Sequence, residues 1–254
     1  MKKLLLLLFL VVLNISLYAQ SSAGSRTIYD ARYIVDMPTA GVLPQRILSA
    51  YGLFFSSGGL FLAFDITPLK NLNIGISYSG INLLGEGNVI MQNFPGFDIR
   101  WRIVDETKLL PAILAGISNQ GHGKYYKEYD RFQTMAPGIY GAISKSFTWT
   151  LGYFALHGGI NYSWEQPSGQ YIPNFWLGFE HSIGHRIAIH LEFNPNFADT
   201  EKTVMSNRIL LNSSIRWSAF QNITFEFVMH DLFNHTKNNS GFERWIGLEF
   251  IHNF

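Results

Sequence analysis

Apolar and polar residues alternate at every second position along much of this chain. The pattern is most regular at 71–80, where Leu72, Ile74, Ile76 and Tyr78 alternate with asparagine, glycine and serine. A period of two residues is that of a β-strand with one apolar and one polar face. We therefore predict strands that meet an apolar environment on one side and water on the other.

Charged residues occupy the polar positions of several of these segments. Between 97 and 103, Asp98, Arg100 and Arg102 alternate with aromatic residues and isoleucines. The same arrangement recurs at 187–194 and 223–230. Because charged side chains destabilise a strand face that meets lipid, we expect these polar faces to line the interior of a closed barrel.

The alternation predicts twelve strands along the chain. Their ranges are 46–55, 58–66, 71–80, 95–104, 109–118, 137–146, 148–163, 172–183, 186–196, 206–217, 220–230 and 241–254. Twelve is an even number, as in single-chain bacterial transmembrane barrels.

The connections between these strands alternate in length, except for the tight outer turn at 56–57. The short ones are 67–70, 105–108, 146–147, 184–185 and 218–219, and the long ones are 81–94, 119–136, 164–171, 197–205 and 231–240. Transmembrane barrels have short periplasmic turns and longer extracellular loops. We therefore predict an all-β fold, a transmembrane antiparallel up-and-down β-barrel of about 12 strands, in the cell outer membrane of a Gram-negative bacterium.

The amino-terminal part of the chain lacks this alternation. Two lysines precede an apolar stretch at 4–13, which is typical of a secretory signal peptide, and we place its cleavage near Ala19. In the following segment, Pro38 and Pro44 disfavour a central strand. The predicted organisation is a signal peptide at 1–19, a periplasmic segment at 20–45 and the barrel at 46–254. Whether the periplasmic segment plugs the barrel or tethers it stays open at this point.

The last predicted strand ends in an aromatic residue. Phe254 falls on the same face as Phe250, Leu248 and Ile246. This pattern resembles the recognition signal of the outer-membrane barrel assembly machinery, which we expect as a partner through Phe254, together with outer-membrane lipid. Aromatic residues near strand ends are typical of interfacial girdles, and those predicted here are Trp101, Trp149, Trp217, Tyr78 and Trp164.

Composition agrees with a barrel and excludes other classes. Aromatic residues make up 15% of the chain, and a mean hydropathy of +0.08 fits strands with one apolar face. Removing the two signal lysines leaves 17 basic against 18 acidic residues, which gives no electrostatic reason to expect nucleic acid as a partner. The absence of cysteine excludes disulfides and thiolate metal sites.

The predicted interior carries charges of both signs. The candidate lumen or pore residues are Asp98, Arg100, Arg102, Glu180, His190, Glu192, Arg208, Arg216, Glu226, His230 and Glu249. In one interpretation they cross-link neighbouring strands and fill the interior of a barrel of this size. In the other they line a hydrated pore.

The loop at 119–136 mixes aromatic and charged residues. Its candidates for contact with a saccharide, by stacking on sugar rings or hydrogen bonding to their hydroxyls, are Tyr125, Tyr126, Tyr129, Arg131 and Phe132. The alternative is a lid folded onto the mouth of the barrel. Both interpretations remain open at this point.

Catalytic and metal sites have weak support. Barrel enzymes that act on lipids need a histidine and a serine on the lipid-facing surface, but His181 and Ser213 are predicted two strands apart, about 9 to 10 Å at ordinary strand spacing. The other histidine groups considered are His185 with His190, and His230 with Asp231 and His235. Such histidines and carboxylates are more often solvated than bound to metal. We expect no catalytic residues, no metal and no cofactor.

Three segments are similar to a known family. The sequence at 35–40, the segment from Ile74 to Gly87, and the run from Pro95 to Arg102 leading into 110–112 resemble the YjbH-like family of outer-membrane proteins. The resemblance covers most of the mature chain. It implies a barrel associated with exopolysaccharide and capsule production, and it implies no catalytic residues.

Three functional hypotheses follow. The first is a non-enzymatic, porin-like outer-membrane barrel that contributes to exopolysaccharide export or surface assembly, with polysaccharide and periplasmic export proteins as partners. The second is a lipid-modifying outer-membrane hydrolase. The third is a structural or adhesive barrel whose loops bind an extracellular partner.

Overall fold

The computed structural model describes residues 30–149, 152–166, 172–184, 186–199, 204–237 and 241–254. The predicted signal peptide, its cleavage point and His185 lie outside these residues. No helix in this part of the chain is long and apolar enough to cross a bilayer.

The regular secondary structure of the described residues consists of β-strands. They are β1 (Ile47–Phe55), β2 (Gly59–Leu69), β3 (Leu72–Ile81), β4 (Ile90–Met91), β5 (Gly96–Val104), β6 (Ala112–Ser118), β7 (His122–Tyr126), β8 (Arg131–Thr134), β9 (Gly138–Trp149), β10 (Gly152–Tyr162), β11 (Asn174–Ile183), β12 (Ile187–Asn194), β13 (Leu210–Ser218), β14 (Ile223–His230) and β15 (Glu243–Asn253).

Twelve of these strands close into one antiparallel barrel. These are all the strands except β4, β7 and β8, and each pairs with the next of the twelve along the chain. Because β1 pairs with both β2 and β15, Ile47 lies opposite Asn253 and the ring has no free edge. The short strand β4 is added to β3, and β7 and β8 form a separate hairpin. The predicted fold class is therefore confirmed.

The outer surface of the barrel is apolar. On β15, Ile246, Leu248 and Phe250 are exposed, and they alternate with buried residues that face the interior. Trp101 and Trp217 are exposed at the barrel end that carries the short connections, which we call the turn end; the opposite end is the loop end. An apolar outer surface with aromatic residues at its rim is that of a transmembrane barrel.

Two predicted boundaries are wrong. The turn expected at 146–147 lies inside β9, because Phe147 continues the apolar face and stacks on Phe154 of β10, with ring centroids 5.0 Å apart. The strand expected to start at 206 starts at Leu210, since Met205 instead forms an isolated bridge with Thr236. Both differences follow from contacts between strands that a local pattern does not contain.

Candidate functional site

Residues 30–43, which we call the inner segment, lie inside the barrel. Ile34, Met37, Ala40 and Val42 are buried against inward-facing side chains of β6, β9 and β11, among them Trp176. The segment folds back on itself through a bridge between positions 33 and 38. It leaves the interior at the turn end, where residues 44–46 are exposed and lead into β1.

A glycine on the wall gives the inner segment room. Gly178 of β11 faces Ile34, and a Cβ atom at this position would lie 2.1 Å from Ile34 Cδ1. Real Cβ contacts of that length do not occur, so a larger residue at this position would require Ile34 to move.

A carboxylate of the wall holds the tip of the inner segment. The backbone N–H groups of Val35, Asp36 and Met37 donate to Glu192 Oε2 at 3.0, 2.9 and 2.8 Å. Three successive N–H groups that converge on one oxygen form an anion-binding nest. Glu192 is completely buried, and its other oxygen accepts a hydrogen bond from Asn212.

An arginine of the inner segment binds two acidic residues from different strands. The Arg32 guanidinium forms ion pairs with Asp65 of β2 and Glu249 of β15, and donates to Ser49 Oγ at 3.0 Å. Its own carbonyl oxygen accepts a hydrogen bond from Arg100 at 2.8 Å. The inner segment therefore links strands on opposite sides of the β1–β15 closure.

Asp36 connects the inner segment to the loop end. Its Oδ2 lies 2.8 Å from His230 Nε2, and accepts hydrogen bonds from Thr134 Oγ1 at 2.8 Å and Asn212 Nδ2 at 3.2 Å. The His230 ring stacks on Trp245, with centroids 4.1 Å apart. One buried carboxylate is thus shared by the inner segment, two barrel strands and the β7–β8 hairpin.

Polar side chains also link successive strands of the wall. Glu226 accepts hydrogen bonds from Tyr51 and Ser214, and the Ser214 hydroxyl is 3.1 Å from His190 Nδ1. The chain of contacts continues from His190 through Glu180 and His157 to Ser144, whose hydroxyl oxygen accepts the Ala40 N–H. This network agrees with the interpretation in which interior charges cross-link the strands.

The β7–β8 hairpin folds into the mouth of the barrel. Phe132 is buried and packs edge-on against Tyr125, with centroids 5.0 Å apart. Arg131 forms a buried ion pair with Asp199 at 2.9 Å. Gln133 donates to Glu243 of β15 at 2.7 Å. The hairpin is therefore a lid.

The lid changes the prediction of a saccharide surface. Arg131, Phe132 and Tyr125 are buried, and Tyr126 is half-buried. Tyr129, at the tip, is 46% exposed. Aromatic composition alone does not distinguish a loop that binds sugars from one that packs inward.

Glu165 holds the lid from the neighbouring loop. Its Oε2 accepts the N–H groups of Phe132 at 3.2 Å and Ala136 at 3.0 Å. Burial raises the pKa of Glu165 to about 7. Its carboxylate therefore changes charge near neutral pH while in contact with the backbone of the lid.

Small cavities lie beside the inner segment. One of about 60 Å³ lies among β1, β2, β3 and the inner segment, with Tyr51, Phe61 and Asp65 in its lining, and it has room for about four water molecules. A second of about 30 Å³ lies toward the turn end. Arg216 and Glu249, which form an ion pair at 2.6 Å, line both cavities.

Most predicted lumen residues do face the interior. Asp98, Arg100, Arg102, Glu180, His190, Glu192, Arg216, Glu226, His230 and Glu249 all lie on inward faces of strands. Arg208 does not, because β13 begins at Leu210 and Arg208 lies in the segment before it. Sequence reasoning missed Arg32, Asp36 and Asp65 as interior charges. Asp65 could have been found, since it lies on the polar face of a predicted strand.

The histidine and serine considered for catalysis lie apart on the outer face. Ser213 donates its hydroxyl hydrogen bond to the His190 carbonyl oxygen at 2.8 Å, and His181 lies on β11, two strands away. His235 contacts the Ile209 carbonyl oxygen through Nδ1 at 2.7 Å. Within the described ranges, no three potential metal ligands cluster.

Comparisons with known proteins find similarity among solved barrels. No family model matches the chain, and no curated protein matches it. A NanC porin in a rhombohedral crystal form matches at TM-score 0.44 and 9% identity, over 82% of this chain and 99% of that chain. The outer membrane channel DcaP of Acinetobacter baumannii matches at TM-score 0.29 and 8% identity, over 82% and 95%. The fold described above rests on strand pairing, and the YjbH-like resemblance stays a prediction.

Proposed function

We propose that this protein is a non-enzymatic outer-membrane barrel whose lumen is closed by the inner segment and opens when that segment leaves. The observation that carries the proposal is the set of contacts at the inner segment. Its hydrogen bonds and ion pairs reach strands on all sides of the barrel, including Ser49, Asp65, Ser144 and Glu192. A segment that only tethered the barrel would not need charged partners deep in the interior.

Conductance through planar bilayers tests this proposal. In Gly178→Leu the added side chain occupies the position of Ile34, so we expect the inner segment to be displaced and the conductance to rise well above that of the unaltered barrel. Gly52→Leu is the matched control, since a Cβ there makes only an ordinary 3.5 Å contact with Leu62 on the outer face. Deletion of residues 30–43 gives a second route to the open lumen. If both the glycine variant and the deletion stay closed to ions, the proposal is wrong.

The finer proposal is that the opened barrel contributes to exopolysaccharide export or surface assembly, with periplasmic export proteins as partners. It is supported by the sequence resemblance and by a lumen that can be closed. Deleting the gene should lower the amount of surface polysaccharide. Unchanged polysaccharide, together with a barrel that never conducts ions, would remove this function.

A structural or adhesive barrel is the second candidate, and the closed lumen favours it. Exposed residues at the tip of the lid, such as Tyr129, would then meet an extracellular partner. Deletion of residues 127–129 separates the two candidates, because an adhesive barrel loses partner binding while an exporting barrel keeps its surface polysaccharide.

A further inference from the structure

The wall of the lumen carries more carboxylates than guanidinium groups. On the twelve barrel strands, the inward-facing carboxylates are Asp65, Asp98, Glu180, Glu192, Glu226, Glu243 and Glu249, against the guanidinium groups of Arg100, Arg102 and Arg216. Rings of acidic side chains favour cations in pores. The inner segment adds Asp30 and Asp36 against Arg32, so the excess belongs to the wall itself and would face the aqueous path when the segment leaves.

The larger cavity concentrates this excess. Four carboxylates line it, and its guanidinium groups are those of Arg32 and Arg216. Asp98 is neutralised from the wall by Arg100 at 2.7 Å. If Arg32 leaves with the inner segment, Arg216 is the guanidinium that remains in the cavity lining. It then faces three carboxylates, those of Asp65, Glu226 and Glu249.

Arg32 already shows which chemical group this part of the wall holds. Its guanidinium lies between Asp65 and Glu249 and donates to Ser49, and all four side chains are largely buried. Two aromatic rings, those of Tyr51 and Phe61, line the same cavity and stand edge to face 6.1 Å apart. Carboxylates with neighbouring aromatic rings are a suitable environment for an organic cation.

We propose that Asp65 and Glu249 form a cation site that Arg32 occupies while the barrel is closed, and that the opened lumen therefore selects cations over anions. The conducted or exported solute is then cationic or uncharged, such as an amino-sugar polymer or an amine, and an acidic polymer is disfavoured. The selectivity part rests on the proposed opening of the lumen, whereas the cation site does not.

Cation binding to the site formed by Asp65 and Glu249 can be tested without measuring conductance. Arg32→Ala vacates the site, and we expect millimolar methylguanidinium to raise the thermal midpoint of this variant in detergent. The same concentration of potassium chloride should not. The unaltered protein, in which Arg32 fills the site, and Arg32→Ala combined with Asp65→Asn should not respond. If methylguanidinium does not raise the thermal midpoint of Arg32→Ala, the proposal is overturned, whatever the conductance shows.

Selectivity is tested in the opened barrel. In the Gly178→Leu background, the permeability ratio of K⁺ to Cl⁻ should exceed one, and Asp65→Asn and Glu249→Gln should each lower it. Glu86→Gln removes the same charge from an exposed loop and should leave the ratio unchanged. An opened barrel whose ratio is one or less, or is insensitive to Asp65 and Glu249, overturns the proposal while leaving the proposed opening intact. A barrel that does not open contradicts the proposed function instead.

Discussion

Neutralising Glu192 should release the inner segment while leaving the barrel folded. In Glu192→Gln the side chain keeps its volume, but the oxygen that accepts three backbone N–H groups at 2.8 to 3.0 Å loses its negative charge. Hydrogen bonds to a charged partner contribute about 1 kcal/mol more than neutral ones. Three of them give about 3 kcal/mol.

That energy converts into a measurable change in population. Each 1.4 kcal/mol is about a tenfold change in an equilibrium constant, so the undocked state of the inner segment should become about 100-fold more populated. Hydrogen exchange measured by mass spectrometry should show the amides of Val35, Asp36 and Met37 exchanging faster by about this factor. The barrel strands should keep their protection, because their backbone pairing does not involve Glu192's side chain.

Glu226→Gln is the matched control for this experiment. Glu226 is another carboxylate of the lumen wall, but it accepts its hydrogen bonds from Tyr51 and Ser214 and not from the inner segment. Its variant should leave exchange at residues 35–37 as in the unaltered protein. If residues 35–37 stay as protected in both variants as in the unaltered protein, the nest at Glu192 does not hold the inner segment. If both variants lose the same protection there, the interior has loosened in general.

Three further predictions concern the lid and assembly. Because burial raises the pKa of Glu165 to about 7 from an ordinary value of 4.5, the docked loop binds more protons than the released loop between these values, and docking weakens as pH rises through that window. Hydrogen exchange of the lid, corrected for intrinsic rates, should increase from pH 5 to pH 8, and Glu165→Gln should abolish the increase. A lid that is equally protected at both pH values contradicts this prediction. Arg131→Ala leaves Asp199 as an uncompensated buried charge, which costs about 3 to 5 kcal/mol, so limited proteolysis should cut the lid much faster. Lys127→Ala at the exposed tip is the control, because it removes a charge that has no buried partner. Phe254→Ala should slow barrel assembly, seen as a larger unfolded fraction by heat-modified gel mobility, and assembly at the normal rate would argue against Phe254 as a recognition signal.

The wall of the barrel could be predicted from sequence because its information is local. Period-two alternation assigns each strand residue to a face, and this placed Asp98, Glu180 and Glu192 in the interior without knowledge of the pairing. The closed ring likewise followed from the number of strands and the alternation of connection lengths. These features need only neighbouring residues.

The filling of the lumen could not be predicted in the same way. The inner segment has no periodicity, and its partners Asp65 and Glu249 are distant from Arg32 along the chain. The two prolines indicated an irregular segment but could not distinguish a plug from a tether. For a similar reason the sequence left two interpretations of the loop at 119–136 open, since its residue types are the same whether Arg131 and Phe132 face a sugar or the interior.

The carboxylate of Asp36 has a consequence for communication across the membrane. Thr134 of the lid and the amino-terminal inner segment meet at this single group, together with His230. A change in the lid that removes the Thr134 hydrogen bond alters the free energy with which the inner segment docks, and by thermodynamic reciprocity a displaced inner segment loosens the lid by the same amount. The lid at the loop end and the inner segment within the lumen are thus energetically coupled.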